Sequence, residues 1–179
     1  MGIMGVMPGF VDPAPALRES FLAAVAEFRD DRDHPVPWFV GDVDPAALSD
    51  PAAFEAYVAR VLGERTEAGV RAGFVPMTTL WWADGARFLG RLAIRHRLTP
   101  ALREDGGHIG YDVRPTARRQ GHATAMLAAA LPVARRLGVS RALVMCEVTN
   151  TASRRVIERN GGVLIDVTGR KRRYWVPTG

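Results

Sequence analysis

Residues 109–124 read IGYDVRPTARRQGHAT, and their order decides the fold. An apolar stretch ends at Val113-Arg114-Pro115, a polar turn carries Arg118, Arg119 and Gln120, and Gly121-His122-Ala123-Thr124 opens an alanine-rich segment. A strand that enters a helix through such a turn gathers the first backbone N–H groups of the helix, which lack intrahelical acceptors, around one point. With the positive end of the helix dipole they form a binding point for phosphate. Gly121 lets the backbone approach an anion where a Cβ would obstruct it, and Ala123 keeps the next position small.

Downstream of the turn, Leu127, Leu131 and Ala134 share one face of a helix over residues 121–137, in which Pro132 predicts a kink or a break. Residues 141–148 form a continuous apolar run suited to a sheet centre. A short helix over 150–159, closed by Asn160-Gly161-Gly162, leads to strands at 163–167 and 172–176 joined around Gly169. Upstream, residues 77–82 and 87–95 read as a hairpin, residues 98–107 as a loop, and residues 108–114 as the strand that feeds the turn.

Two lead-in helices precede the hairpin. Leu17, Phe21, Leu22, Val25 and Phe28 recur at helical spacing over residues 14–29. Asp50 caps the second helix, with Pro51 at its first position and Phe54, Tyr57, Val58, Val61 and Leu62 on its apolar face. Residues 1–11 make a poor strand sequence. The expected class is α/β: a central mixed, mostly antiparallel sheet flanked by helices, in one domain over residues 1–179.

The bulk properties are those of a globular domain: 179 residues, 47% hydrophobic and 24% charged. No apolar run reaches the ~18 residues of a membrane span, and residues 1–10 lack the basic start and long apolar centre of a signal peptide, so the expected location is cytoplasmic. The lone cysteine, Cys146, sits in an apolar strand, which excludes an intramolecular disulfide or a cysteine metal cluster. A net charge of +5 favours anionic ligands.

The spacing Arg118-x-x-Gly121-x-Ala123 between strand and helix resembles the pyrophosphate loop of the GNAT superfamily of N-acetyltransferases. A second motif, Asn150-x-x-Ser153 followed by Ile157-Glu158-Arg159-Asn160-Gly161-Gly162, is similar to the superfamily's asparagine-started helix. The resemblance covers about residues 78–176 and implies the GNAT fold, with the lead-in helices added. Arg95-His96, Gly107-His108-Ile109-Gly110-Tyr111 and Arg173-Tyr174-Trp175 look like a branch of the superfamily whose substrates are undefined.

The resemblance implies acetyl-coenzyme A as cosubstrate and an amine acceptor that attacks the thioester directly, with no metal. Backbone N–H groups of Arg119, Gln120, Gly121, His122, Ala123 and Thr124 would hold the pyrophosphate, with the Arg118 side chain as charge partner. Tyr111 and Val113 would pair through their backbone with the pantetheine arm, and Asn150 and Ser153 would lie near its end. The superfamily's proton-donating tyrosine falls at Ile157, which cannot serve as an acid. Two groups stand as candidate bases, Glu147 at the end of its strand and His108 at the start of the cofactor strand. Strand alternation turns His108 away from Tyr111, so only one of these sets faces the acceptor cleft. Trp81, Trp82 and Tyr174 read as core first and as acceptor contacts second.

A coenzyme A-binding sensor without turnover is the nearest alternative, because of Ile157. The basic run Gly169-Arg170-Lys171-Arg172-Arg173 raises a more distant one, a nucleic-acid-binding module. The acceptor's identity and the oligomeric state stay open, homodimers being common in the superfamily.

Overall fold

Strands rich in apolar residues on both sides need helices on both faces of their sheet, and the chain supplies them. A computed structural model describes residues 7–179. Strands β1 (Gly9–Val11), β2 (Met77–Asp84), β3 (Arg87–Arg95), β4 (Ile109–Val113), β5 (Arg141–Glu147), β6 (Val163–Thr168) and β7 (Lys171–Pro177) form a seven-stranded sheet in the order β1-β2-β3-β4-β5-β7-β6. Only β4 and β5 run parallel; the other neighbours are antiparallel. The helices are α1 (Arg18–Asp30), α2 (Trp38–Gly41), α3 (Pro51–Gly63), α4 (Pro100–Glu104), α5 (His122–Arg136) and α6 (Thr151–Arg159). This is the mixed, mostly antiparallel α/β architecture expected of a GNAT fold.

Cross-strand partners share a face of the sheet. Trp81, Arg91 and Asp112 are partners across β2, β3 and β4, on the face covered by the lead-in helices. There Phe21 of α1 stacks on Trp81 with ring centroids 4.8 Å apart and meets Phe88 edge-on at 5.2 Å. Phe28, Phe39, Phe54 and Val58 complete this core. On the opposite face, Leu92, Ile94, Ile109, Val144 and Cys146 pack with Met126, Leu127, Ala130 and Ala134 of α5 and Ile157 of α6. Burying a large aliphatic or aromatic side chain contributes about 1.5–3 kcal/mol, so each helix layer is held by several such contacts.

The structure decides three local points. A first strand exists: Gly9–Val11 pairs with residues 81–83 of β2, and the Phe10 ring meets Trp82 edge-on at 5.0 Å. Phe10 and Val11 are good strand formers, and the free edge of β2 with the aromatic contact gives them a partner. Helix α5 runs through Pro132 without a break. Proline removes one helical hydrogen bond, and buried Ala130 and Ala134 on either side anchor both halves to the core. The expected loop at 98–107 holds helix α4, whose first turn is capped by Thr99 accepting from Leu102 N at 3.2 Å.

Candidate active site

The register of β3 against β4 sets the direction of every backbone group on β4. Arg95 N donates to His108 O at 2.7 Å and Arg114 N to Leu89 O at 2.8 Å. In an antiparallel ladder, hydrogen-bonded pairs alternate with non-bonded ones. The pairs Leu92–Tyr111 and Gly90–Val113 are therefore non-bonded, and the backbones of Tyr111 and Val113 face β5. Yet β5 meets β4 only at Ile109–Val144. No further bridge joins the two strands, so the backbone edges of Tyr111 and Val113 lie past the last pairing of β4 with β5. Val113 O accepts from Arg118 Nε at 3.2 Å.

The turn after β4 exposes a second set of donors. Arg118 N bonds to Pro115 O, and the next backbone bond along the chain is Ala125 N to Gly121 O. Among the described residues, the N–H groups of Arg119 through Thr124 have no backbone acceptor. Gly121 takes a φ of +85°, and Arg119, at +62°, is the only described non-glycine residue with positive φ. Such a conformation in a non-glycine residue is held by its surroundings and is common at ligand sites.

The Arg118 side chain departs from the phosphate role expected of it. Its Nη1 lies 2.5 Å from Asp31 Oδ2 and 2.9 Å from His34 Nδ1. This hydrogen bond, more than any other factor, draws the Asp31 carboxyl down to about 2. Arg114 likewise reaches Glu27 at 2.6 Å. Both arginines tie the turn to α1, which leaves exposed Arg119 as the arginine nearest the free N–H groups.

On α6, Asn150 is the N-cap: its Oδ1 accepts from Ser153 N at 2.9 Å. One turn along, Ser153 Oγ lies 2.7 Å from the Tyr111 hydroxyl. Burial pushes the Tyr111 phenol above its ordinary range, so it stays protonated and able to donate. Ile157 is fully buried in the core. Trp82 Nε1 donates to His122 Nδ1 at 3.3 Å, orienting the first residue of α5.

His108 lies on the lead-in face of the sheet, opposite Tyr111, and its Nδ1 accepts from Leu143 N at 2.9 Å. Burial, with Arg103 and Arg95 nearby, lowers it to about 4. The imidazole is neutral at pH 7 with its free lone pair already engaged, which suits a strand lock better than a base. Glu147 pairs with Lys171 at 2.9 Å, and Lys171 also reaches Asp105 at 3.2 Å. Arg173, also in the basic run, bonds Asp166 at 2.7 Å. Trp81 and Tyr174 are core residues, each 1% exposed.

Sequence reasoning overlooked Asp112. It lies between Tyr111 and Val113, so its side chain points to the lead-in face of the sheet, beside Arg91. Burial raises its carboxyl above the ordinary range against the opposing pull of Arg91 and Arg118. The signal was available: alternation along β4 puts Asp112 on the same face as His108.

Among the described residues no group of His, Cys, Asp and Glu is arranged to hold a metal ion, and no helix is long and apolar enough to cross a membrane.

The family model of the GNAT acetyltransferase domain matches residues 16–163. No curated protein matches the sequence significantly. The fold is shared with the microcin self-immunity acetyltransferase MccE, solved with acetyl-CoA and AMP, at TM-score 0.65 and 14% identity over 94% of this chain and 91% of that one. RimL, a ribosomal-protein α-N-acetyltransferase solved with coenzyme A, gives TM-score 0.61 and 17% identity over 94% and 92%. RimJ from Mycobacterium smegmatis, in complex with a coenzyme A disulfide, gives 0.63 and 19% over 94% and 80%.

Proposed function

The chain belongs to the GNAT acetyltransferase family, and on that premise we propose that it moves the acetyl group of acetyl-coenzyme A to an amine by direct attack on the thioester. One observation carries the reading. The row of unpartnered N–H groups at the start of α5 follows directly on β4, whose Tyr111 and Val113 backbone edges lie past the last pairing with β5. A phosphate held at the first and an extended amide-bearing arm held at the second fit one molecule, coenzyme A.

The roles follow from chemistry. The α5 N-terminus and Arg119 neutralise pyrophosphate charge. The Tyr111 and Val113 backbones hold the pantetheine arm as an added strand, and a β4 amide polarises the thioester carbonyl. The amine lone pair attacks that carbon, the C–S bond breaks, and the electron pair leaves on sulfur. Asp112, on the acceptor side, takes the proton from nitrogen. The Tyr111 hydroxyl, steadied by Ser153, supplies one to the thiolate in place of the absent tyrosine at Ile157.

The test is release of free thiol from acetyl-coenzyme A in the presence of an amine panel, with acetylated product identified by mass. Thiol release matched by product supports the enzyme. Tight acetyl-coenzyme A binding with no turnover on any amine supports the sensor reading instead.

A further inference from the structure

On the acetyltransferase reading, on which this inference depends, the acceptor approaches the face of the sheet that carries Asp112. Next to Asp112 across the strands is Arg91, in the middle of β3 and only 4% exposed. A guanidinium carries five N–H donors and is costly to bury without acceptors. Here Asp112 Oδ2 is 3.8 Å from Nη1, beyond hydrogen-bond reach, and no other described side chain or backbone group accepts from Arg91. Burial lowers its affinity for a proton, and nearby acids oppose this only through space.

Aromatic rings cover the guanidinium instead, Trp38 at 5.3 Å and Phe39 at 4.8 Å to their centroids. Stacking satisfies the flat faces and leaves the donor-bearing edge available. Arg91 lines a cavity of about 20 Å³ with Trp38, Tyr57, Thr79 and Glu64. The acids here have partners of their own: Glu64 lies 2.7 Å from Arg60, and Asp42 3.0 Å from Arg71. Arg91 is the cation in this wall without a hydrogen-bonded anion among the described residues.

We propose that Arg91 receives the carboxylate of the acceptor, so that the acetylated amines are amino acids. A planar carboxylate matches the fork of a guanidinium in a bidentate pair. The cavity has room beside Arg91 for a small polar head such as a carboxylate. Facing positions on neighbouring strands lie roughly 5 Å apart. The Asp112 carboxylate and the Arg91 guanidinium, 3.8 Å apart, are close enough to engage the amine and the carboxylate of one small amino acid. Trp38, 47% exposed, forms the outer wall through which the acceptor enters.

The experiment compares acetylation of an equimolar mixture of free amino acids with that of their α-carboxamides, each read by mass, beside calorimetric titration of acetyl-coenzyme A. The acids should be preferred by roughly 30-fold or more, as for a buried charge-assisted pair. Arg91→Met, which keeps the stacked stem, and Arg91→Lys, which keeps the charge and loses the fork, should each collapse that ratio toward one. Amides acetylated as well as acids, as when a buried water alone satisfies Arg91, overturn the carboxylate assignment and leave acetyl transfer standing. Product from neither mixture by a protein that binds acetyl-coenzyme A overturns it too. Failure to bind acetyl-coenzyme A removes the acetyltransferase reading itself. Should both variants misfold, the ratio measured on the unmodified protein still decides.

Discussion

The Tyr111 hydroxyl lies 2.7 Å from Ser153 Oγ, joining the middle of β4 to the helix that follows β5. This contact puts a protonated phenol near the end of the β4–β5 pairing, while Ile157, the position the resemblance assigns to the superfamily's tyrosine, is buried. Tyr111→Phe should lower kcat by roughly a hundredfold or more and leave the calorimetric affinity for acetyl-coenzyme A within a few-fold of the original. A purely structural hydroxyl would instead cost about 1 kcal/mol of stability without changing kcat.

Asp112 makes a distinct prediction. As the proton acceptor it must be ionised, so kcat/KM should fall as pH drops through a carboxyl value above the ordinary 3.8, raised by burial. Asp112→Asn should lose roughly 10²–10⁴ in rate and lose that acid limb, while acetyl-coenzyme A still binds. A full-rate variant would return the base role to another group.

Ile157→Tyr tests whether the missing tyrosine can simply be restored. Ile157 is fully buried, and even a Cβ added at Gly162 would lie 2.5 Å from its Cγ2. Overpacking should cost about 1–3 kcal/mol in urea unfolding, with no gain in turnover. Ile157→Ala should cost about 2–5 kcal/mol by leaving a cavity.

The clamp between α1 and the turn predicts acid sensitivity. The Asp31 carboxyl falls from 3.8 to about 2 chiefly because Arg118 bonds its charged form. A depressed carboxyl stabilises the fold fully above its unfolded value and loses that contribution as pH falls through its folded value. The Asp31 share should therefore vanish between pH 3.8 and about 2. Thermal unfolding across that window should be flatter for Asp31→Asn than for the unmodified protein. Glu27 acts in the same direction: burial raises it, but bonds from Arg114 and Thr116 prevail and lower it.

What the sequence disclosed was local. The strand–turn–helix at residues 109–124, the Asp50 cap and both lead-in helices announce themselves through short-range chemistry: unpartnered N–H groups, a capping side chain, helical apolar spacing. What it withheld depends on distant neighbours. Strand β1 forms because β2 offers an edge, and α5 passes Pro132 because the core holds both halves. The Arg118 side chain turns from the phosphate site toward Asp31, 87 residues away in sequence. Arg91 looks like an ordinary strand arginine until Trp38 and Phe39 are folded over it. Asp112 was within reach, since alternation alone assigns its face.

The central claim is that the N-terminus of α5 holds the pyrophosphate of acetyl-coenzyme A, and calorimetric titration tests it directly. Gly121→Asp is the informative variant. Aspartate tolerates positive φ better than most residues, nothing lies within 4 Å of a Cβ built there, and its carboxylate would compete for the same N–H groups. The account predicts saturable binding by the unmodified protein and loss of most of that affinity in a variant with unchanged circular dichroism. Equal binding by a folded Gly121→Asp, or no binding by the unmodified protein, would contradict it.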